Sequence, residues 1–412
     1  MDRAFPMKRI KIDWWLAGLC SARAFSQVIT MTYAAALPVL QREWSMSAAQ
    51  AGAVSSGFQI GYGVSLLFVS TLADRFGAKR LYLGSMISGA LFAAAFAVFA
   101  RSYLSALVLY TLVALFIGGS YTTGLMILSE QYPARRRGMA TGFYIASSSL
   151  GYMLSLLLSG FALPVGGYRL SFLMTCFATI LGALFSGITL ARTTVPVAIR
   201  QTGQSFTKEV LSNKPAMLLI AGYTFHCWEL LGMWAWAPAF LTACLIRNGS
   251  GELQAAGLGA YFVAVFHMAG IVASFSMGSL SDRLGRAQVI MVLAGISVLC
   301  SFTFGWSIEW PFWAVMALGL IYAFTTIGDS PVLSAALTEV VSPSYLGSAF
   351  GIRSMLGFGA VALSPVVFGA VLDWSNPGQH LYTHWGWAFV SLGIPGLGAV
   401  WAARRIHSTP VS

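Results

Sequence analysis

Leu72-Ala73-Asp74-Arg75-Phe76-Gly77 recurs, little changed, as Leu280-Ser281-Asp282-Arg283-Leu284-Gly285, 208 residues further on. A second set repeats at almost the same spacing: Glu130, Gly138 and Gly142 return as Glu339, Gly347 and Gly351, each displaced by 209. Two unrelated motifs sharing nearly one offset are hard to obtain by chance, so the chain reads as two similar halves. The halves are residues 1–190 and 215–412. Between them, 191–214 is polar, with Thr193, Thr194, Pro196, Gln201, Thr202, Gly203 and Gln204, and reads as a cytoplasmic linker.

Outward from these motifs the chain is apolar. Of its 412 residues only 9% are charged, 57% are hydrophobic, and mean hydropathy is +0.75. A soluble domain carries about 25% charge, and disorder requires low hydrophobicity. Both a soluble enzyme and a disordered chain are therefore excluded, and the solvent is the bilayer. A span needs about 20 apolar residues, roughly 33 with its loop, so the length holds about twelve. The apolar runs are about 14–39, 48–71, 81–100, 104–128, 138–162, 168–190, 215–245, 254–280, 287–308, 312–338, 347–372 and 385–403. The first follows a basic stretch but is too long for a secretory h-region, and eleven more come after it.

With the N-terminus placed in the cytoplasm, inner segments hold 18 Lys and Arg, and outer loops hold four: Arg42, Arg101, Arg169 and Arg247. The asymmetry puts both termini inside and explains the net charge of +11 without nucleic acid. Trp14, Trp15, Trp44, Trp310, Trp374 and Trp385 lie near expected span ends, as an aromatic belt requires. The five cysteines form no metal-type spacing or disulfide framework. The sequence has no G-x4-G-K-[ST], H-E-x-x-H or G-x-S-x-G, so ATP-driven transport within this chain is not expected; nor is an enzyme, a cofactor or a bound metal.

At this point the sequence resembles the major facilitator superfamily. The signature between helices 2 and 3, G-x-L-x-D-R-x-G-R/K-R/K, reads here from Ser70 to Arg80, with Ser70 for the first glycine and Ala78 at one basic position. The copy after helix 8 runs from Gly278 to Arg286. The resemblance implies an all-α membrane protein of 12 transmembrane helices in two pseudo-symmetric six-helix bundles, multi-pass in a bacterial inner membrane. It also implies a cytoplasmic latch that breaks during alternating access, formed by Asp74, Arg75, Gly77 and Glu130, and by Asp282, Arg283, Gly285 and Glu339. Chemically, a carboxylate between helices can bind free N–H groups at a helix N-terminus, each arginine can pair with the glutamate of an adjacent loop, and each glycine allows a tight turn. The competing reading is a plain positive-inside loop. Helix 5 departs from the superfamily's proton-antiporter pattern: Gly142 and Gly151 keep its first spacing, but Ser155-Leu156 replaces Gly-Pro.

A charge in the bilayer centre costs about 2.5–3.5 kcal/mol, so such residues face a cavity or a partner. This chain offers Arg23, Glu229, Asp329 and Arg353, with His226 and His267 beside them. Arg23 lies roughly 13 Å into the first span. Gln27 and Thr30 share its stripe, and its planar fork suits a carboxylate; a salt bridge to Glu229 or Asp329 is the alternative. His226, Glu229, Met233 and Trp236 share one face of helix 7. A carboxylate lining a cavity can take up and release a proton, making Glu229, with His226 and Asp329, the proton-coupling candidates. Asp329 has Tyr322, Thr325 and Thr326 on its face, and its repeat counterpart is Ser120. It either lines the cavity or pairs with Arg353, which in turn either snorkels or guards the cavity mouth. The substrate-binding candidates are Arg23, Gln27, Tyr121, Trp228, Thr326, Asp329 and Arg353. Trp228 could equally be a packing residue.

The expected function is secondary transport of a small organic or other small anion by alternating access, coupled to protons, in a monomer. An exporter of amphipathic or cationic compounds would use the helix 7 tryptophans and both carboxylates. A transport-dead sensor or scaffold is disfavoured by the short 191–214 linker and the retained intramembrane charges.

Overall fold

The computed structural model describes residues 13–194, 210–342, 345–378 and 382–407. Among these residues the fold is all helical. The helices are α1 (Trp14–Gln27), α2 (Thr32–Glu43), α3 (Ala48–Phe76), α4 (Ala78–Phe99), α5 (Tyr103–Gln131) and α6 (Ala134–Leu190). They continue with α7 (Lys214–Arg247), α8 (Glu252–Leu284), α9 (Arg286–Phe304), α10 (Phe312–Val340), α11 (Leu346–Ser375) and α12 (Gly386–His407). Ten of the helices are long and apolar enough to cross a membrane.

Polar residues start four of the helices. Asp13, Ser47, Ser102 and Asn213 accept from the amides of Leu16, Gln50, Ser105 and Ala216, satisfying donors that the helix leaves free. Two glycines bend the chain in the same way. Gly77 (φ 86°, ψ 135°) ends α3 and starts α4, and Gly285 (φ 91°, ψ 140°) does so between α8 and α9. A side chain is strained at such φ, so the repeat extends to backbone angles that glycine alone adopts freely. Both helices run through their Asp-Arg pairs, to Phe76 and Leu284. Asp282 and Arg283 therefore belong to a last helical turn, correcting the expectation of a carboxylate standing between helices.

Two expected spans share α6, and one is interrupted. In a straight helix Ser159 and Ser171 would lie roughly 18 Å apart, yet Ser171 Oγ donates to Ser159 Oγ at 2.8 Å. The chain doubles back at Gly166 and Gly167, where φ and ψ leave the helical region just after Pro164. The first expected span instead breaks between α1 and α2. There the amides of Val28 and Thr30 reach back only three residues, to Phe25 and Gln27. The Tyr110 hydroxyl lies 3.1 and 2.6 Å from the carbonyls of Ile29 and Thr30. It supplies the partner that unwound backbone needs in an apolar core.

α3 packs on α11, and the arm of α6 before Gly166 packs on α8. The offset that maps α3 onto α8 also maps that arm onto α11, so the two contacts repeat one another. Both are backbone-to-backbone. A Cβ on Gly52 would stand 2.1 Å from Pro365 O, and one on Gly257 would stand 2.6 Å from Gly160 O. Small residues allow this approach where no hydrophobic effect drives helices together.

Candidate functional site

Arg23 is 1% exposed, in α1. Its Nε donates to Ser148 Oγ at 2.8 Å, Nη1 to Ser120 Oγ at 2.9 Å and Nη2 to the Tyr62 hydroxyl at 2.9 Å. The rings of Tyr121 and Tyr144 lie 5.2 and 5.6 Å from the guanidinium carbon. Among the described residues no carboxylate pairs with it, so neither Glu229 nor Asp329 fills the role of counter-ion. A buried charge lacking a counter-ion is expensive. Here α3, α5 and α6 each supply one neutral oxygen, and tyrosine faces supply the rest. Gln27, one turn on, is also 1% exposed and packs against Gly151. It accepts from Thr30 at 3.3 Å, and its amide nitrogen has no hydrogen-bond partner.

The carboxylates gather elsewhere, between α7, α9 and α10. His226 Nδ1 lies 2.8 Å from Asp329 Oδ1, although neither atom makes an aligned hydrogen bond. Ser297 Oγ donates to Glu229 Oε1 at 2.8 Å and lies 3.1 Å from Thr326 Oγ1. Asp329 thus faces His226 rather than Arg353. Arg353 donates to Ser334 Oγ at 2.7 Å and stacks over Tyr223 and Phe350, at 4.0 and 4.5 Å. Trp228 turns away to donate to the Ser391 carbonyl of α12 at 3.1 Å, which is the packing role. His267 stacks on Trp234 at 3.8 Å, with Tyr152 of α6 6.1 Å away.

At the α8–α9 turn, Arg286 takes the part expected of Arg283. It bridges Asp282 at 2.5 Å and Glu339 at 3.0 Å, whereas Arg283 is exposed. Asp282 sits four residues before Arg286, the spacing that stacks two side chains on one helical face. At the first copy, Arg75 lies over the Phe76 ring at 5.4 Å. Glu130 is exposed and forms no ion pair among the described residues. The side chain of Asp74 lies outside the described residues.

Sequence reasoning missed Tyr62, Ser120, Ser148 and Tyr144 around Arg23. Tyr62 and Tyr144 carried a usable signal, since both lie inside apolar runs and not at span ends, where tyrosines usually gather. A single serine in an apolar helix carries almost none.

The architecture and the sequence repeat meet in one comparison. The family model described as Major Facilitator Superfamily matches residues 19–308 and 248–411. The chain belongs to the Major Facilitator Superfamily. It is an integral multi-pass membrane transporter and not an enzyme. A probable sulfoacetate transporter, SauU, of Cupriavidus necator is 26% identical over 404 residues, covering 89% of each chain. A gallate transporter of Pseudomonas putida is 25% identical over 426 residues, covering 90% of this chain and 88% of its own. A probable 4-methylmuconolactone transporter of Cupriavidus pinatubonensis is 24% identical over 344 residues, 79% of this chain and 76% of its own. Among solved structures, an inward-facing, unoccupied bacterial homologue of the human lysosomal transporter Spinster superposes with a TM-score of 0.77 at 16% identity, covering 97% of this chain and 98% of its own. A D-xylose–proton symporter reaches 0.71 at 16% identity, covering 96% and 95%. These structures speak to the superfamily fold alone.

Proposed function

We propose that this superfamily member carries a small organic anion across a bacterial inner membrane by alternating access, with protons as the coupling ion. The observation that carries the reading is Arg23: a permanently charged guanidinium, 1% exposed, held by three neutral oxygens and, among the described residues, by no carboxylate. Such a group is satisfied for burial yet keeps uncompensated charge, and a carboxylate reaching it would gain charge-assisted bonds. The names of the gallate, sulfoacetate and 4-hydroxybenzoate transporters among its relatives favour an acid as solute. Glu229, Asp329 and His226 form the proton-coupling group in this reading, since neither acid faces an arginine among the described residues. Gln27, Tyr121, Thr326 and Arg353 belong to the solute pathway. Trp228 supports it by packing.

In this reading α1 and α2 form one interrupted span and α6 forms two, giving twelve. The halves are 1–190 and 215–412, and both termini are cytoplasmic. Asp74, Arg75, Gly77 and Glu130 latch the inner end with Asp282, Arg283, Gly285 and Glu339. Arg286 joins them through its contacts to Asp282 and Glu339.

The test is uptake by proteoliposomes of 4-hydroxybenzoate, gallate, niacin and sulfoacetate under an inward proton gradient. At least one acid is expected to accumulate, and Glu229→Gln is expected to keep solute exchange while losing gradient-driven accumulation. Uptake that ignores the gradient would refute the coupling. Preference for organic cations over every acid tested would refute the anion.

A further inference from the structure

At the end of the bundle opposite Gly77 and Gly285, the N-terminus of α3 is completed by a residue more than 300 positions away. A helix start leaves four amides free. For α3, two are met locally: Ser47 N donates to Gln50 Oε1 at 3.0 Å, and Gln50 N to Ser47 Oγ at 3.1 Å. The other two, Ala48 N and Ala49 N, each donate at 2.8 Å to one carboxylate, taking Oδ1 and Oδ2 of Asp373 in α11. The Tyr382 hydroxyl donates to the same carboxylate at 2.9 Å. A carboxylate on the positive end of a helix dipole is stabilising, and this one belongs to the opposite half of the chain.

Its neighbours fit a closure. Three residues beyond Ala49, Gly52 meets the backbone of Pro365, and a Cβ on Gly369 would stand 2.2 Å from Ala48 O. Arg42, at the end of α2, pairs with Glu252, at the start of α8, and bridges the halves a second time. Above these contacts a cavity of about 910 Å³ holds Arg42, Glu252, Asp373 and Tyr382 in its wall, so they face a solvent-sized space. Below them lies a cavity of about 30 Å³, lined by Thr30, Ser55 and Trp234 among others. Rigid-body rocking of one half against the other must separate α3 from α11 here before the interior opens at this end.

We infer that Asp373 is an outer latch, closing the carrier by capping α3 across the two halves and letting go each time the carrier opens outward. The inference rests on the transport reading for its motion and on the proposed topology for the word outer. When the latch opens, Ala48 N, Ala49 N and the carboxylate all pass to water. The released state therefore stays solvated, as a gate that cycles requires.

The test needs no knowledge of the solute. Ser55→Cys places a near-isosteric thiol in the small inner cavity. Its alkylation by a membrane-impermeant maleimide is followed in vesicles of both orientations, against the chain without Ser55→Cys to remove labelling of native cysteines. Adding Asp373→Ala is expected to raise the rate about tenfold in right-side-out vesicles, the scale of a lost helix cap. Asp373→Asn, which keeps the shape and removes the charge, is expected to raise it severalfold, and it carries the test if the alanine variant does not accumulate. Glu309→Gln removes an ion pair to Arg247 that lies at this end but inside one half, and no rise is expected. An unchanged rate with Asp373→Asn would overturn the latch, as would an equal rise with Glu309→Gln. A rise confined to inside-out vesicles would keep the latch and overturn only the proposed topology.

Discussion

The most discriminating perturbation compares Arg23 with the oxygens that hold it. In Ser120→Ala/Ser148→Ala, two N–H groups of a buried guanidinium lose their acceptors. Hydrogen bonds to charged groups contribute about 1.5–3 kcal/mol each, so the double variant should lose about 3–6 kcal/mol. In Arg23→Met the charge itself goes. Ser120 Oγ still donates to the Ile117 carbonyl at 2.6 Å, so its proton is not orphaned. Replacing a buried charge by an apolar side chain of similar length is often neutral or stabilising, and the cost should stay under about 2 kcal/mol. Scaling the usual unfolding entropy of about 2.1 cal/mol/K per residue to this chain, 1 kcal/mol moves Tm by roughly 1 °C. The double variant should therefore melt about 3–6 °C below the parent, and Arg23→Met within about 2 °C of it. Thermal unfolding of the detergent-purified protein measures both. In the parent, a bound acid such as 4-hydroxybenzoate at about 100 Kd should add about 2.7 kcal/mol, and in Arg23→Met it should add nothing. If Arg23→Met proves the less stable of the two, the guanidinium is a structural brace and the reasoning fails. An undiminished 4-hydroxybenzoate shift in Arg23→Met would equally remove it from the site.

Two further outcomes follow from other contacts. Gly52→Leu sets a side chain where even a Cβ would lie 2.1 Å from Pro365 O; it should trap the halves apart at the latch end and abolish solute exchange at normal expression. Unchanged exchange would show that α3 and α11 do not need this approach. At the start of α1, outside the spans, the Tyr132 hydroxyl donates to Asp13 at 2.6 Å and, with the Leu16 amide, holds the Asp13 pKa below its ordinary value. A depressed carboxylate stabilises above its unfolded pKa of about 3.9 and loses that contribution as pH falls through the folded value. The Tm deficit of Tyr132→Phe at pH 6 should accordingly shrink at pH 3, and a deficit equal at both would contradict the pairing.

The charges in the apolar runs were legible one by one, but their partners were not. Arg23, Glu229 and Asp329 stand out because a bilayer tolerates so few charges. That Arg23 rests on Ser120, Ser148 and Tyr62 was not visible, since residues 39 to 125 positions apart meet only when four helices pack. Reading His226 and Glu229 on one helix face was correct in spacing, yet they meet different partners, Asp329 of α10 and Ser297 of α9. Asp373 attracted no notice. Near a helix end it looks like an ordinary surface carboxylate, and its role depends wholly on α3 arriving beside it.

What the sequence determined by itself is whatever one dimension carries: the solvent, from scarce charge; the duplication, from motifs at one offset; and the turns at Gly77 and Gly285, because the backbone angles there are local and glycine answers to them locally. Whatever depends on contact between distant helices was left to the tertiary structure. It doubled α6 back at Gly166 and Gly167, broke the first span where Tyr110 could cap the freed carbonyls, and gave Glu339 to Arg286 and not to Arg283. Among the described residues it also set Arg23 on neutral oxygens, apart from the acids Glu229 and Asp329. Pairing energy depends on distances of a few ångströms, and sequence spacing sets such distances only within a helix.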